Sequence, residues 1–301
     1  MKHHVLRWVA VFAALICFGI AAFFMWQVYQ QEKEYKEGDD VYALIEQMAA
    51  QSSTENAPEE TPGHSPSPED FSEETAVEEQ CVEPEPTPNP EAALIPDINF
   101  DALDGVGSNL VAWLYSPETV INYPVAQGAD NFYYLNHLAD GTENGNGCLF
   151  IDWKNAPDFS DENTVIYGHH MQSGKMFASL VNYADQSYFE EHPVVYLTTR
   201  TGKYKIELFS GYTTDRNSSA YTLRFATKHE FADWLREVSY KSDFRTSMRL
   251  STEDQIVTLS TCAYSFYDAR YVVHGRLTLV EERLTIKSQS QNEESCELAF
   301  G

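Results

Sequence analysis

Nineteen consecutive residues from Trp8 to Trp26 carry no charge, enough for a helix to cross a hydrocarbon core of about 30 Å. This run constrains the chain most strongly, because it ties whatever follows to one side of a membrane. Lys2 and Arg7 precede it, and such charges are retained on the cytoplasmic side. Phe23, Phe24, Met25 and Trp26 end it without the small-x-small pattern of a cleavage site. The expectation is a cytoplasmic N-terminus at 1–7 and an uncleaved transmembrane signal-anchor at 8–28. The chain is then a single-pass cell-membrane protein with the rest of its residues extracellular.

Residues 29–50 mix charges with scattered apolar positions and read as a juxtamembrane segment able to form a short helix. Composition then changes sharply. The chain carries a net charge of −26, and twelve of its Asp and Glu fall in 51–93, with no Lys or Arg and eight of the thirteen prolines. Such a stretch cannot bury enough apolar surface to offset its ordering entropy. It is expected to be an acidic, Pro-rich disordered linker, a solvated spacer reaching about 35–40 Å. The acidity argues against nucleic acid as a partner, since phosphate contacts need clustered Lys and Arg. The five cysteines, Cys17, Cys81, Cys148, Cys262 and Cys296, are odd in number and far apart. That disfavours a disulfide framework or a zinc site, and leaves room for a working thiol.

From 94 to 282, short runs of β-branched and aromatic residues alternate with turn signals. The runs are Val111–Tyr115, Ile121–Gln127, Cys148–Trp153, Thr164–Gly168, Val194–Thr199, Lys203–Thr213, Gln255–Thr261 and Ala269–Val280. Helical periodicity marks Met176–Tyr183 and, more clearly, Lys228–Tyr240, where Phe231, Trp234, Leu235 and Val238 share a face. Eight strands with one or two short helices predict a mostly β domain, closed or nearly closed into a barrel. Residues 283–301 read as a polar tail, which disfavours Cys296 as a reactive group. Cys81 lies in the linker without fixed neighbours.

Two segments carry chemistry. In Thr164-Val-Ile-Tyr-Gly-His169-His170-Met171 a β-branched strand ends in glycine and a histidine follows. In Thr258-Leu-Ser-Thr-Cys262 a strand ends in cysteine, seven residues follow, and Arg270 opens the next strand. If those two strands pair antiparallel, Cys262 and Arg270 face each other about 5 Å apart at the backbone. A guanidinium there favours a thiolate and can bond a developing oxyanion. A thiol nucleophile also needs a proton partner, for which His169 is the candidate. Taken singly, each residue has a bland explanation: a buried small hydrophobe, a structural hydrogen-bonder, a surface charge. The combination points to acyl transfer.

These blocks resemble the sortase family. "VIYGHHM", "TLSTC" and "RYVVHGRL" carry the likeness, and "INYPVAQGADNFYYLNH", "GCLFIDWKN" and "KMFASLVNY" are similar to its class B members. The resemblance implies an eight-stranded sortase-type β-barrel at 94–282 with additional N-terminal helices, which Leu94–Leu110 could supply. It implies His169, Cys262 and Arg270 as catalytic residues, and Asn131, Leu135 and Ser260 as substrate-binding positions. It implies cleavage of a C-terminal sorting signal after threonine, a thioacyl-enzyme, and transfer to an amine. That amine belongs to a peptidoglycan precursor of a Gram-positive wall or, alternatively, to a pilin lysine. No cofactor or metal is expected. Some class B relatives carry an acidic residue just past the cysteine, where this chain has Ala263 and Tyr264, so signal preference is open. A hydrolytic peptidase and a non-catalytic anchored surface module are the competing readings. His170 and His274 are expected to be structural, with His170 turned to the opposite side from His169, and Cys148 to be core filler.

Overall fold

The computed structural model describes residues 2–50, 89–107, 109–263 and 268–283. Most of the expected linker and tail, with Cys81 and Cys296, lies outside them, as does the loop 264–267. Eight strands form a closed barrel: β1 (Leu110–Tyr115), β2 (Asn122–Gln127), β3 (Leu149–Ile151), β4 (Asn163–Tyr167), β5 (Val194–Thr199), β6 (Gly202–Asp215), β7 (Gln255–Cys262) and β8 (Ala269–Glu282). Around the barrel they run β1-β2-β3-β4-β7-β8-β6-β5, and β5 pairs back onto β1. The pairs β2–β3 and β4–β7 are parallel. Closure leaves no open sheet edge.

Period-two alternation along the strands sorts side chains into two cores. On β7, Val257 and Leu259 join the main core with Leu114, Val125, Ile151, Ile166, Leu197 and Val273. Ile256, on the opposite face, joins a second cluster with Phe209, Val272, Phe231, Trp234 and Leu235. That second cluster lies under helix α4 (Lys228–Tyr240), whose cap Thr227 accepts from Glu230 N while Glu230 reaches back to Ala226 N, one residue before the N–H that a capping box would use. The same alternation puts Ser260 and Cys262 on the α4 side of β7.

His274 is fully buried in this layer. The Thr258 hydroxyl donates to Asn163 Oδ1 at 2.7 Å, so it accepts from His274 Nδ1 at 2.8 Å. Burial pushes the ring's pKa down to about 3, so it is neutral at pH 7, and with the hydrogen on Nδ1 its Nε2 accepts from the Tyr212 hydroxyl at 3.3 Å. Protonation is easier in the unfolded chain, at about 6.5. Stability from this group is complete above that value and is lost as pH falls toward about 3. Lowering the pH from 7 to 5 should reduce the melting temperature of the wild type, and a His274→Asn variant should show a flatter dependence by calorimetry.

The N-terminal helix α1 is a single element, Lys2–Ala50. Among the described residues it is the one helix long and apolar enough to cross a membrane. Phe12, Leu15, Ile16, Phe18, Phe23 and Phe24 stand exposed along it, as expected of a segment meant for lipid. Its second half is not a separate juxtamembrane piece. Tyr42, Ile45 and Ala49 enter the main core, and one turn earlier Gly38 faces the Asn146 amide so closely that a Cβ would stand 2.2 Å from Nδ2. A glycine inside a helix costs about 1 kcal/mol; here it permits the close approach. Gly38, Tyr42, Ile45 and Ala49 form a stripe too narrow to stand out from the charged residues around it.

Two boundaries of the sequence reading are corrected. Residues 89–93, assigned to the linker, already pack on the barrel: Asn89 donates to Val280 O, Glu91 pairs with Lys205 at 2.9 Å, and Ala92 is buried. Ala49 O accepts from Asn99 N at 2.9 Å, so the chain returns to the end of α1 after residues 51–88. Leu94–Leu110 supplies only the short α2 (Phe100–Leu103); the substantial N-terminal helix is the end of α1.

Candidate active site

The site forms where three adjacent strands end together. Parallel pairing sets Tyr167 of β4 opposite Ser260 of β7. Two residues further along each chain come His169, past the end of β4, and Cys262, the last residue of β7. The continuation is tied: Gly168 N donates to Ser260 O at 3.0 Å, and the Thr261 hydroxyl donates to Gly168 O at 2.8 Å. On the other side of β7, Cys262 pairs directly with Arg270 of β8. Cys262 and Arg270 thus stand on paired strands, and His169 follows the end of β4, the strand on the other side of β7. Cys262 is partly exposed, which a nucleophile requires.

The His169 ring is fixed at one nitrogen. Nε2 lies 2.7 Å from Leu135 O. A carbonyl only accepts, so Nε2 carries the hydrogen of that bond. The ring rests against Gly147, whose φ is +60°. A Cβ there would stand 2.9 Å from His169 Cδ2 and 2.6 Å from Tyr134 O, so the turn demands glycine on two counts. Arg270 Nη1 donates to Ala269 O at 3.0 Å, leaving the rest of the guanidinium fork for other acceptors.

Tyr221 completes the site and carried no signal in the sequence, since it sits in an aperiodic stretch. Its hydroxyl is 2.9 Å from Ser260 Oγ, and its ring stacks on Tyr167 at 6.1 Å. Burial raises the phenol above its ordinary value, while the neighbouring Arg270 charge acts in the opposite direction. It is a neutral hydrogen-bonding group beside Cys262 and Arg270. Asn163 Nδ2 holds this segment through Ala220 O and Thr222 O, and Trp234 Nε1 holds it through Ser219 O.

Ser260 is joined to Tyr221 by that hydrogen bond, and Leu135 meets the His169 ring through its carbonyl. Asn131 stands one step away: its Nδ2 donates to Asp152 Oδ2 at 2.8 Å, and the Tyr167 hydroxyl donates to the same oxygen at 3.0 Å. A polar chain thus runs from Asn131 through Asp152 to Tyr167, on which Tyr221 stacks. His170 Nδ1 lies 2.9 Å from Cys262 O, a bond to backbone of the kind expected of a structural histidine; like His169 it lies past the end of β4 at Tyr167. Cys148 is buried, and burial pushes its thiol up to about 12, which leaves it unreactive at neutral pH.

A partly exposed thiol paired across the strands with an arginine, with an oriented imidazole following the neighbouring strand, has the groups that acyl transfer needs. Comparison with known proteins agrees. Residues 114–278 match the family model described as a sortase domain. The Sortase B of Listeria monocytogenes is 34% identical over 177 residues, 58% of this chain and 72% of that protein. The structure of a Staphylococcus aureus sortase B–substrate complex superposes with a TM-score of 0.58 at 32% identity, covering 60% of this chain and 85% of that one. Clostridium perfringens sortase B superposes with a TM-score of 0.57 at 31% identity, covering 60% of this chain and 100% of that one.

Proposed function

The chain belongs to the sortase family, class B, and from that premise we propose that His169, Cys262 and Arg270 are the catalytic groups of this cysteine transpeptidase. The observation behind the reading is the pairing of Cys262 with Arg270, together with a β4–β7 register that ends at Tyr167 and Ser260, two residues short of His169 and Cys262. The Cys262 thiolate attacks the carbonyl carbon of the scissile peptide, and the oxygen takes up the charge against the Arg270 guanidinium. As the C–N bond breaks, His169 gives its Nδ1 proton to the leaving amine. The product is a thioester on Sγ. An incoming amine then attacks that carbonyl, Nδ1 takes its proton, and the thiolate leaves.

The substrates are secreted proteins with a C-terminal sorting signal, cleaved after threonine. The acceptor is an amine of a peptidoglycan precursor. The signal lies along the groove edged by Ser260, Tyr221 and Leu135, with Asn131 at the end of its polar chain. Residues 8–28 cross the cell membrane, with 1–7 cytoplasmic and the barrel outside. Tyr221→Phe removes one neutral donor from the groove, so KM for a sorting peptide should rise about two- to tenfold with kcat nearly unchanged.

The full chain incubated with a fluorogenic sorting peptide, with and without added amines, tests the function. Ligation that depends on a peptidoglycan-type amine supports it, and ligation only to a lysine side chain makes the protein a pilin polymerase. Hydrolysis alone with every amine makes it a peptidase, and no cleavage by a correctly folded protein makes it a non-catalytic surface module.

A further inference from the structure

Helix α1 touches the barrel at the two loops that flank His169. Before the histidine lies the turn 144–147. Asn144 Nδ2 and Asn146 Nδ2 donate to the helix carbonyls of Glu34 and Tyr35 at 3.0 and 3.1 Å. Glu34 Oε1 accepts from Gly145 N at 2.6 Å. The buried Tyr42 hydroxyl donates to Gly147 O at 2.6 Å, and Gly147 is the residue against which the His169 ring rests. After the histidine lies the loop 175–177. Asp39 pairs with Lys175 at 2.7 Å. The Tyr42 ring packs edge-on against Tyr123 at 5.4 Å, and the Tyr123 hydroxyl accepts from Met176 N. Phe177 N then donates to His169 O at 3.0 Å.

These contacts come from one face of α1, with Glu34, Tyr35, Gly38, Asp39 and Tyr42 at helical spacing. The face starts eight residues past Trp26, about 12 Å along the same unbroken helix. We infer that the end of α1 is a brace for His169, with Tyr42 and Asp39 as positioning residues, so that the membrane-directed helix and the catalytic imidazole are coupled. The coupling rests on the proposed acid–base role of His169, while the bracing of its ring does not. The brace acts at Gly147, which lies between the Tyr134 and Leu135 carbonyls and the ring. A shift there moves the acceptor of Nε2–H and the ring together, and small displacements of a proton-transfer group carry large rate penalties.

The test uses the full chain in detergent micelles or nanodiscs and four variants. Tyr42→Phe keeps the ring and deletes the donated bond. Asp39→Asn removes a surface charge and folds even if the buried substitution does not. Asp39→Lys with Lys175→Asp reverses the pair. Glu46→Gln alters an α1 contact away from the histidine, the one to Asn122 at 2.6 Å. The first readout is the 15N signal of His169 in histidine-labelled protein, assigned with a His169→Gln sample. The second is kcat against pH with a sorting peptide and amine.

Tyr42→Phe should displace the His169 Nε2–H signal, lower kcat about tenfold with KM within about twofold, and move the histidine limb of the pH profile. Asp39→Asn should do the same more weakly, and the reversed pair should restore the wild-type values. Glu46→Gln should leave both readouts unchanged. The brace is refuted if the His169 signal is indifferent to Tyr42→Phe and Asp39→Asn, or if Glu46→Gln perturbs it equally. If the signal moves while the wild type transfers nothing to any amine, the brace stands and the proposed function fails.

Discussion

Replacing Cys262 with alanine should bring sorting-peptide cleavage and amine transfer down to the uncatalysed background, a loss of at least about 10⁴-fold. The sulfur is the one protein atom in the proposed cycle that bonds covalently to the acyl group. Neither His169 nor Arg270 can replace it. The side chain is partly exposed at a strand end, and the substitution leaves no cavity in either core, so stability should change by less than about 0.5 kcal/mol. Loss of turnover with an unchanged melting curve is the expected pair of results. Cys148 gives the contrast. With its thiol pushed up to about 12 by burial, fewer than about one in ten thousand is ionised at pH 7.5, so it cannot take over the nucleophile's role. Trapping the acyl-enzyme and mapping the modified residue by mass spectrometry should place the acyl group on Cys262. A Cys262→Ala protein that still ligates peptide to amine would remove the mechanism.

Arg270→Lys should lower kcat by about 10²–10³-fold, the usual cost of losing one preorganised oxyanion donor. The charge survives this substitution, but the fork does not. Nη1 is committed to Ala269 O, and that tie orients the remaining N–H groups of a planar guanidinium beside Tyr221 and the thiol. A lysine ammonium is a point donor on a flexible stem and cannot make both contacts. The loss should fall on kcat with little change in KM, since the oxyanion exists only in the transition state. Near-normal kcat would demote Arg270 to holding the end of β8.

The sequence by itself determined much of the barrel. Each strand was visible as a run of β-branched and aromatic residues, and β5 (Val194–Thr199) and α4 (Lys228–Tyr240) have the bounds that periodicity assigned them. The facing of Cys262 and Arg270 was also legible, because a seven-residue connection between antiparallel strands leaves little choice of register. Only the tertiary structure decided the rest. The parallel pairing of β4 with β7 joins residues more than ninety positions apart, and a non-local contact of this kind leaves no periodic mark on either segment. Tyr221 reaches Ser260 across 39 positions from an irregular stretch, and His170 Nδ1 meets Cys262 O across 92. The docking of α1 depends on a narrow stripe and one glycine among charged residues, where local composition reads as solvated surface. Local chemistry sets periodicity and short-range register; which strand ends meet, and what braces them, is set by packing between segments distant in the chain.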